Sequence, residues 1–149
     1  LIEINKTVKD EIPNYGWAIS SAGEHYDGDK KLYEKYPLYK SHIDHGFIEP
    51  LKSFVPSIAI SEIVKIGKNK YVVSSMGSNK RIGDKTLYFF ELNDEKKLIN
   101  LEKLKVFERI RDLKFKNNKL YLFMEDSASI GIMDLFNDDA PVHFQETKF

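Results

Sequence analysis

The chain has 149 residues, room for one domain of ordinary size, and its 42% hydrophobic content excludes a disordered polymer. Lys plus Arg equals Asp plus Glu, at 23 each, so no net field singles out nucleic acid or an anionic membrane as the partner. Cysteine is absent, which excludes disulfides and thiol catalysis, and no apolar run reaches the length of a membrane span.

The chain opens at Leu1 rather than Met, with no signal peptide, so residues upstream are expected. Residues 1–54 have poor periodicity and are rich in Gly, Asp, Lys, Tyr and His. They predict long ordered loops around one or two short strands. Such a stretch is more often functional than idle. Within it, Asp27-Gly28-Asp29 has the residue types of a calcium loop without the rest of an EF-hand pattern. His42 and His45 are three residues apart and read as a polar loop rather than a metal site.

Residues 55–136 predict a β-meander. The first strand covers 57–66, with Ile58, Ile60, Val64 and Ile66 as apolar members, and 67–70 form a turn. A strand over 71–76, a polar loop over 77–85 and a strand over 86–92 follow. Residues 98–107 alternate imperfectly and fit either a strand or a short helix. Strands over 109–115, 119–124 and 129–135 complete the series, with Lys116-Asn117-Asn118 as a hairpin turn. A polar tail, 137–149, contains His143, for which the sequence offers no partner. Short strands at this spacing suit a sandwich, a barrel or propeller blades, and spacing alone does not choose among them.

Three ordered segments narrow the choice. Glu3-Ile4-Asn5 leads to Asn14-Tyr15-Gly16-Trp17 and Gly23-Glu24-His25-Tyr26. Pro56-Ser57-Ile58-Ala59 precedes a strand ending Val73-Ser74-Ser75-Met76. Glu108-Arg109-Ile110-Arg111-Asp112-Leu113 precedes Asn118-Lys119-Leu120-Tyr121-Leu122. From Leu1 to about Leu135 this series resembles the glucose/sorbosone dehydrogenase family, which includes bacterial soluble aldose sugar dehydrogenases.

The resemblance implies an all-β fold of antiparallel meander blades. This chain would be the C-terminal portion, about two blades, of a six-bladed β-propeller whose upstream blades lie elsewhere in the parent. It also implies pyrroloquinoline quinone (PQQ) and calcium as cofactors, and a sugar oxidised to its lactone with electrons passed to an acceptor. A periplasmic or secreted location follows from the same likeness. The family's catalytic histidine belongs to an earlier blade and is not assigned to any histidine here.

Arg109 and Arg111 are the leading cofactor-binding candidates. Residues two apart on a strand share a face. A planar guanidinium fork suits a ligand with three carboxylates and an ortho-quinone. By the same resemblance, Tyr26, Ser75, Met76 and Gly77 fall in cofactor-binding segments, and Glu3 and Tyr15 at calcium-binding positions. Three residues depart from the family pattern. Gly77 stands at a lysine position, with Lys80 and Arg81 the nearby cations; Ala18 stands at a proline; and Val55-Pro56 replaces Trp-Pro. These departures keep open a non-catalytic propeller that serves as a scaffold. An unrelated β-sandwich is the third alternative.

Overall fold

A computed structural model describes residues 3–4, 13–25, 30–77, 84–135 and 147–148. Tyr26, Asp27-Gly28-Asp29, Lys80, Arg81 and His143 lie outside these residues, as does the side chain of Glu3. The chain forms two units, Leu1–Ser57 and Ile58–Phe149.

The first unit holds strands β1 (Glu3–Ile4) and β2 (Lys52–Ser53), paired antiparallel. It also holds helix α1 (Lys30–Lys35) and a 3-10 turn, Ile43–His45. The helix is unanticipated in a segment read as loops and strands. Six residues are too few to form a stable helix by propensity. The neighbourhood of Tyr33 supplies the support: its hydroxyl accepts the His25 N–H at 2.8 Å and donates to Glu24.

Two backbone positions explain the entry to this unit. Asn14 Oδ1 accepts the Gly16 N–H at 3.0 Å, an Asx turn. Gly16 has φ +73, and a Cβ there would sit 2.6 Å from the Phe47 ring, so only glycine fits. Ala18 follows at φ 72. Proline is locked near −65°, so the family's proline at this position is incompatible with this local path.

The second unit is two antiparallel sheets. The first comprises β3 (Ile60–Gly67), β4 (Lys70–Ser75), β5 (Thr86–Leu92) and β6 (Leu98–Lys105), neighbours in space in their chain order. Residues 98–105 are therefore strand rather than helix. β6 lies at the sheet edge, where Ile99 is 51% exposed and only Leu98, Leu101 and Leu104 are half-buried, a spacing of three that blurs its alternation. The second sheet comprises β7 (Ile110–Lys116), β8 (Lys119–Met124), β9 (Ser129–Asp134) and β10 (Thr147–Lys148), again in chain order. The β7–β8 connection has Asn117 and Asn118 at φ 51 and 60, the pair of left-handed residues that a type I′ hairpin needs.

β7 packs against β3 and β4. Val72 and Leu87 of one sheet join Ile110, Leu113, Leu120, Leu122, Met124 and Met133 of the other in one core. The Ser61 hydroxyl bridges the sheets by donating to the Ile110 carbonyl at 2.5 Å. Every residue of β5 is buried or half-buried, whereas β7 exposes Arg111, Asp112, Lys114 and Lys116.

Candidate functional site

The ends of β4, β7 and β8 meet at one rim of the second unit. Arg109 immediately precedes β7, and its carbonyl accepts the Glu125 N–H at 2.8 Å, which fixes the two residues opposite each other. The β7–β8 register shifts between Ile110 and Asp112. This irregularity resets the pleat, so that Arg111 and Asp112 both face outward while Ile110 and Leu113 turn into the core. Alternation about the buried Ile110 sets Arg109 and Arg111 on one face, and the register shift adds Asp112 to the outward side.

The two guanidinium groups converge. Arg109 Nε donates to Glu125 Oε2 at 2.8 Å, and Arg111 Nε lies 2.7 Å from the same oxygen. On another side, Arg109 Nη2 and Arg111 Nη1 lie 3.9 and 3.1 Å from the Met76 sulfur. Arg109 is held deep, with its side chain 15% exposed, and Arg111 lies nearer solvent at 54%. Partial burial pushes the Glu125 carboxyl up, but the hydrogen bonds and charges of Arg109 and Arg111 outweigh this and hold it below the usual carboxylate range.

A second ion pair flanks the first. Lys85 Nζ contacts Asp126 Oδ2 at 2.6 Å, and its carbonyl accepts the N–H groups of Val106 and Phe107. The Lys85 hydrogen bond and charge, aided by the Arg109 backbone N–H and charge, keep the Asp126 carboxyl low against the opposing effect of burial. Glu108 accepts the Ser127 N–H and so ties the turn after β8 to the start of β7.

Met76 is thus brought to the arginines. Ser75 is fully buried at the end of β4, where its hydroxyl donates to the Asp84 carbonyl and accepts the Thr86 N–H at 3.0 Å. It closes the β4–β5 loop. Gly77 is held by its N–H on the Ile58 carbonyl at 3.1 Å, with φ 74. A lysine at this position would carry a left-handed strain that glycine avoids, so the departure is built into the backbone. Glu125 went unnoticed in the sequence, 16 residues from Arg109. Register counted back from the Asn117-Asn118 turn leads to Ile110 opposite Glu125, and the shift between Ile110 and Asp112 moves Glu125 opposite Arg109.

The first unit has its own polar groups. Tyr15 is half-buried next to Gly16. Lys40 Nζ reaches Glu24 Oε1 at 2.7 Å, and the hydrogen bonds from Lys40 and Tyr33 hold the Glu24 carboxyl low. His25 Nε2 lies 2.6 Å from the Tyr36 carbonyl oxygen. His42 is 1% exposed, with Nδ1 3.5 Å from Glu49, whereas Ile43, Asp44, His45 and Gly46 after it are exposed, so one buried histidine anchors an otherwise solvated turn. His45 instead stacks on Tyr39, the ring centroids 3.9 Å apart. Among the described residues, no group of three or more His, Asp or Glu side chains is placed to hold a metal ion. No helix among them is long and apolar enough to cross a membrane.

The chemistry of the arginine rim fits a planar anion. Two cations share the Glu125 carboxylate, while Lys85 and Asp126 offset each other beside them. The outer N–H groups of the two arginines face a thioether, a weak acceptor that an oxygen anion improves upon.

Against known proteins, no curated protein and no solved structure matches the chain. A family model described as Glucose / Sorbosone dehydrogenase matches residues 3–133. That span takes in both sheets up to β9 and the whole arginine rim, and on this match the chain belongs to the glucose/sorbosone dehydrogenase family.

Proposed function

We propose that this chain supplies the anion-holding rim of a quinone-dependent sugar dehydrogenase, as two blades of a closed propeller. The convergence of Arg109 and Arg111 on a single oxygen of Glu125, beside Met76, is the observation that carries the reading. In this reading Arg109 and Arg111 bind the carboxylates and quinone oxygens of PQQ. When bound, that cofactor accepts the hydride from the sugar's anomeric carbon. Glu125 orients both forks from behind, with Arg109 the more buried of the two. Fixed cations at this place favour the charge that develops on an oxygen during reduction. Six blades, of which the two four-stranded meanders are two, would complete the ring, and the protein would work in the periplasm or outside the cell.

Calcium has weaker support. The Glu3 side chain is outside the described residues, and Tyr15 is half-buried with no acidic cluster around it among those described. Ser75 enters as the residue that shapes the loop behind Met76.

Gly77 favours a second reading, a scaffold propeller without cofactor, because its left-handed backbone replaces a cation. Titration of the full-length parent with PQQ and calcium, followed by an aldose and an artificial electron acceptor, separates the two. Saturable binding that weakens about tenfold or more in Arg109→Leu and in Arg111→Leu supports the dehydrogenase. No binding by the wild-type protein leaves the scaffold.

A further inference from the structure

Met76 occupies an unusual position for a thioether. Its sulfur lies within 3.1 Å of one guanidinium nitrogen and 3.9 Å of another, where an oxygen anion would be the natural partner. Its backbone is pinned, since the Met76 N–H donates to the Ala59 carbonyl at 2.9 Å and the next N–H donates to Ile58. Only the flexible side chain is left to move. The chain has three methionines. Met124 and Met133 are core residues, 8% and 4% exposed, and Met76 is the more open one at the rim.

From this placement we infer that Met76 is an oxidation site, at which a peroxide converts the thioether to a sulfoxide and closes the arginine pair to anionic ligands. The sulfur lone pair attacks one peroxide oxygen, so that the S–O bond forms as the O–O bond breaks. The departing hydroxide leaves as water with the proton given up by the sulfur-bound hydroxyl. Sulfur loses two electrons and the peroxide gains them. The product carries a strong acceptor oxygen where a weak one stood. That oxygen takes the N–H groups of Arg109 and Arg111 that face the sulfur, and the rim becomes self-satisfied. The consequence for quinone binding rests on the reading above.

The test doses the full chain with hydrogen peroxide and maps added oxygen by peptide mass spectrometry. Calorimetric titration with PQQ and the rate at which phenylglyoxal modifies Arg109 and Arg111 are then measured. Met76 is expected to oxidise ahead of Met124 and Met133. The oxidised protein is expected to bind PQQ at least about tenfold more weakly, the loss of one hydrogen bond to a charged group. Its two arginines should react more slowly, and a methionine sulfoxide reductase should reverse both effects. In Met76→Leu neither readout should respond to peroxide. Equal oxidation of all three methionines, or unchanged arginine reactivity once Met76 is oxidised, overturns the inference. Failure of the untreated protein to bind PQQ overturns the cofactor reading alone, because arginine reactivity still decides the role of Met76.

Discussion

Ile110 lies between the two arginines and is fully buried, so its truncation separates the stability of the rim's foundation from the chemistry above it. Ile110→Ala removes three carbons from the core formed with Val72, Leu113 and Leu122. At about 0.8 kcal/mol per buried methylene, transfer alone accounts for roughly 2.4 kcal/mol. The residual cavity brings the cost to about 2–5 kcal/mol, while Ile110→Val costs about 1 kcal/mol. A loss of about 3 kcal/mol lowers Tm by roughly 6–12 °C in a chain of this size. Far-ultraviolet circular dichroism in a denaturant series is the suitable assay. Trp17 is 92% exposed and belongs to the other unit, so its fluorescence reports poorly on this core. Phe107→Ala is the control, since that ring is 78% exposed and should cost under about 0.5 kcal/mol. The reasoning fails if Ile110→Ala costs less than about 1 kcal/mol, or no more than Phe107→Ala.

Further outcomes follow from the same geometry. Gly77→Lys, which restores the family's residue type, should cost about 1–2 kcal/mol in a denaturant midpoint because φ is 74 there. Asn118→Val should destabilise by at least about 1 kcal/mol in the same measurement, since a β-branched residue resists φ 60, whereas Asn118→Gly should be neutral or stabilising. Glu125 and Asp126 are held below their ordinary range, so they bind protons less readily folded than unfolded. Their stabilisation is therefore present above the ordinary carboxylate range and is lost as pH falls through the lowered values. Acid titration followed by circular dichroism should show that limb, and Glu125→Gln should flatten it. Gly16→Ala should lower Tm, because the added carbon meets Phe47 at 2.6 Å on a backbone with φ +73.

The meander was legible because its strands are short, alternating and separated by turn residues whose conformations are local. Asn117 and Asn118 announce the β7–β8 hairpin by their own preference for the left-handed region. The strand over 98–105 was ambiguous because Leu98, Leu101 and Leu104 recur at a spacing of three, closer to a helical than a strand period, and none of its residues is buried. The strand predicted from residue 57 begins at Ile60, after Ala59 turns at φ 51. Helix α1 was not legible, since six residues carry little periodic signal and its support comes from Tyr33 and Glu24. The arginine pair and its shared face were legible from i, i+2 spacing, but its partner was not, because register decides that Glu125, in the turn after β8, lies opposite Arg109.

The order of strands within each sheet bears on how the second unit assembles. From β3 to β6 and from β7 to β9 each strand pairs with its immediate successor, so these ladders can zip with little loop-closure entropy. Among the described elements of this unit, the seating of β7 on β3 and β4 joins segments distant in the chain. That docking is the event that brings the Arg109 segment beside Met76, and the rim is accordingly among the last features to take shape as the chain folds.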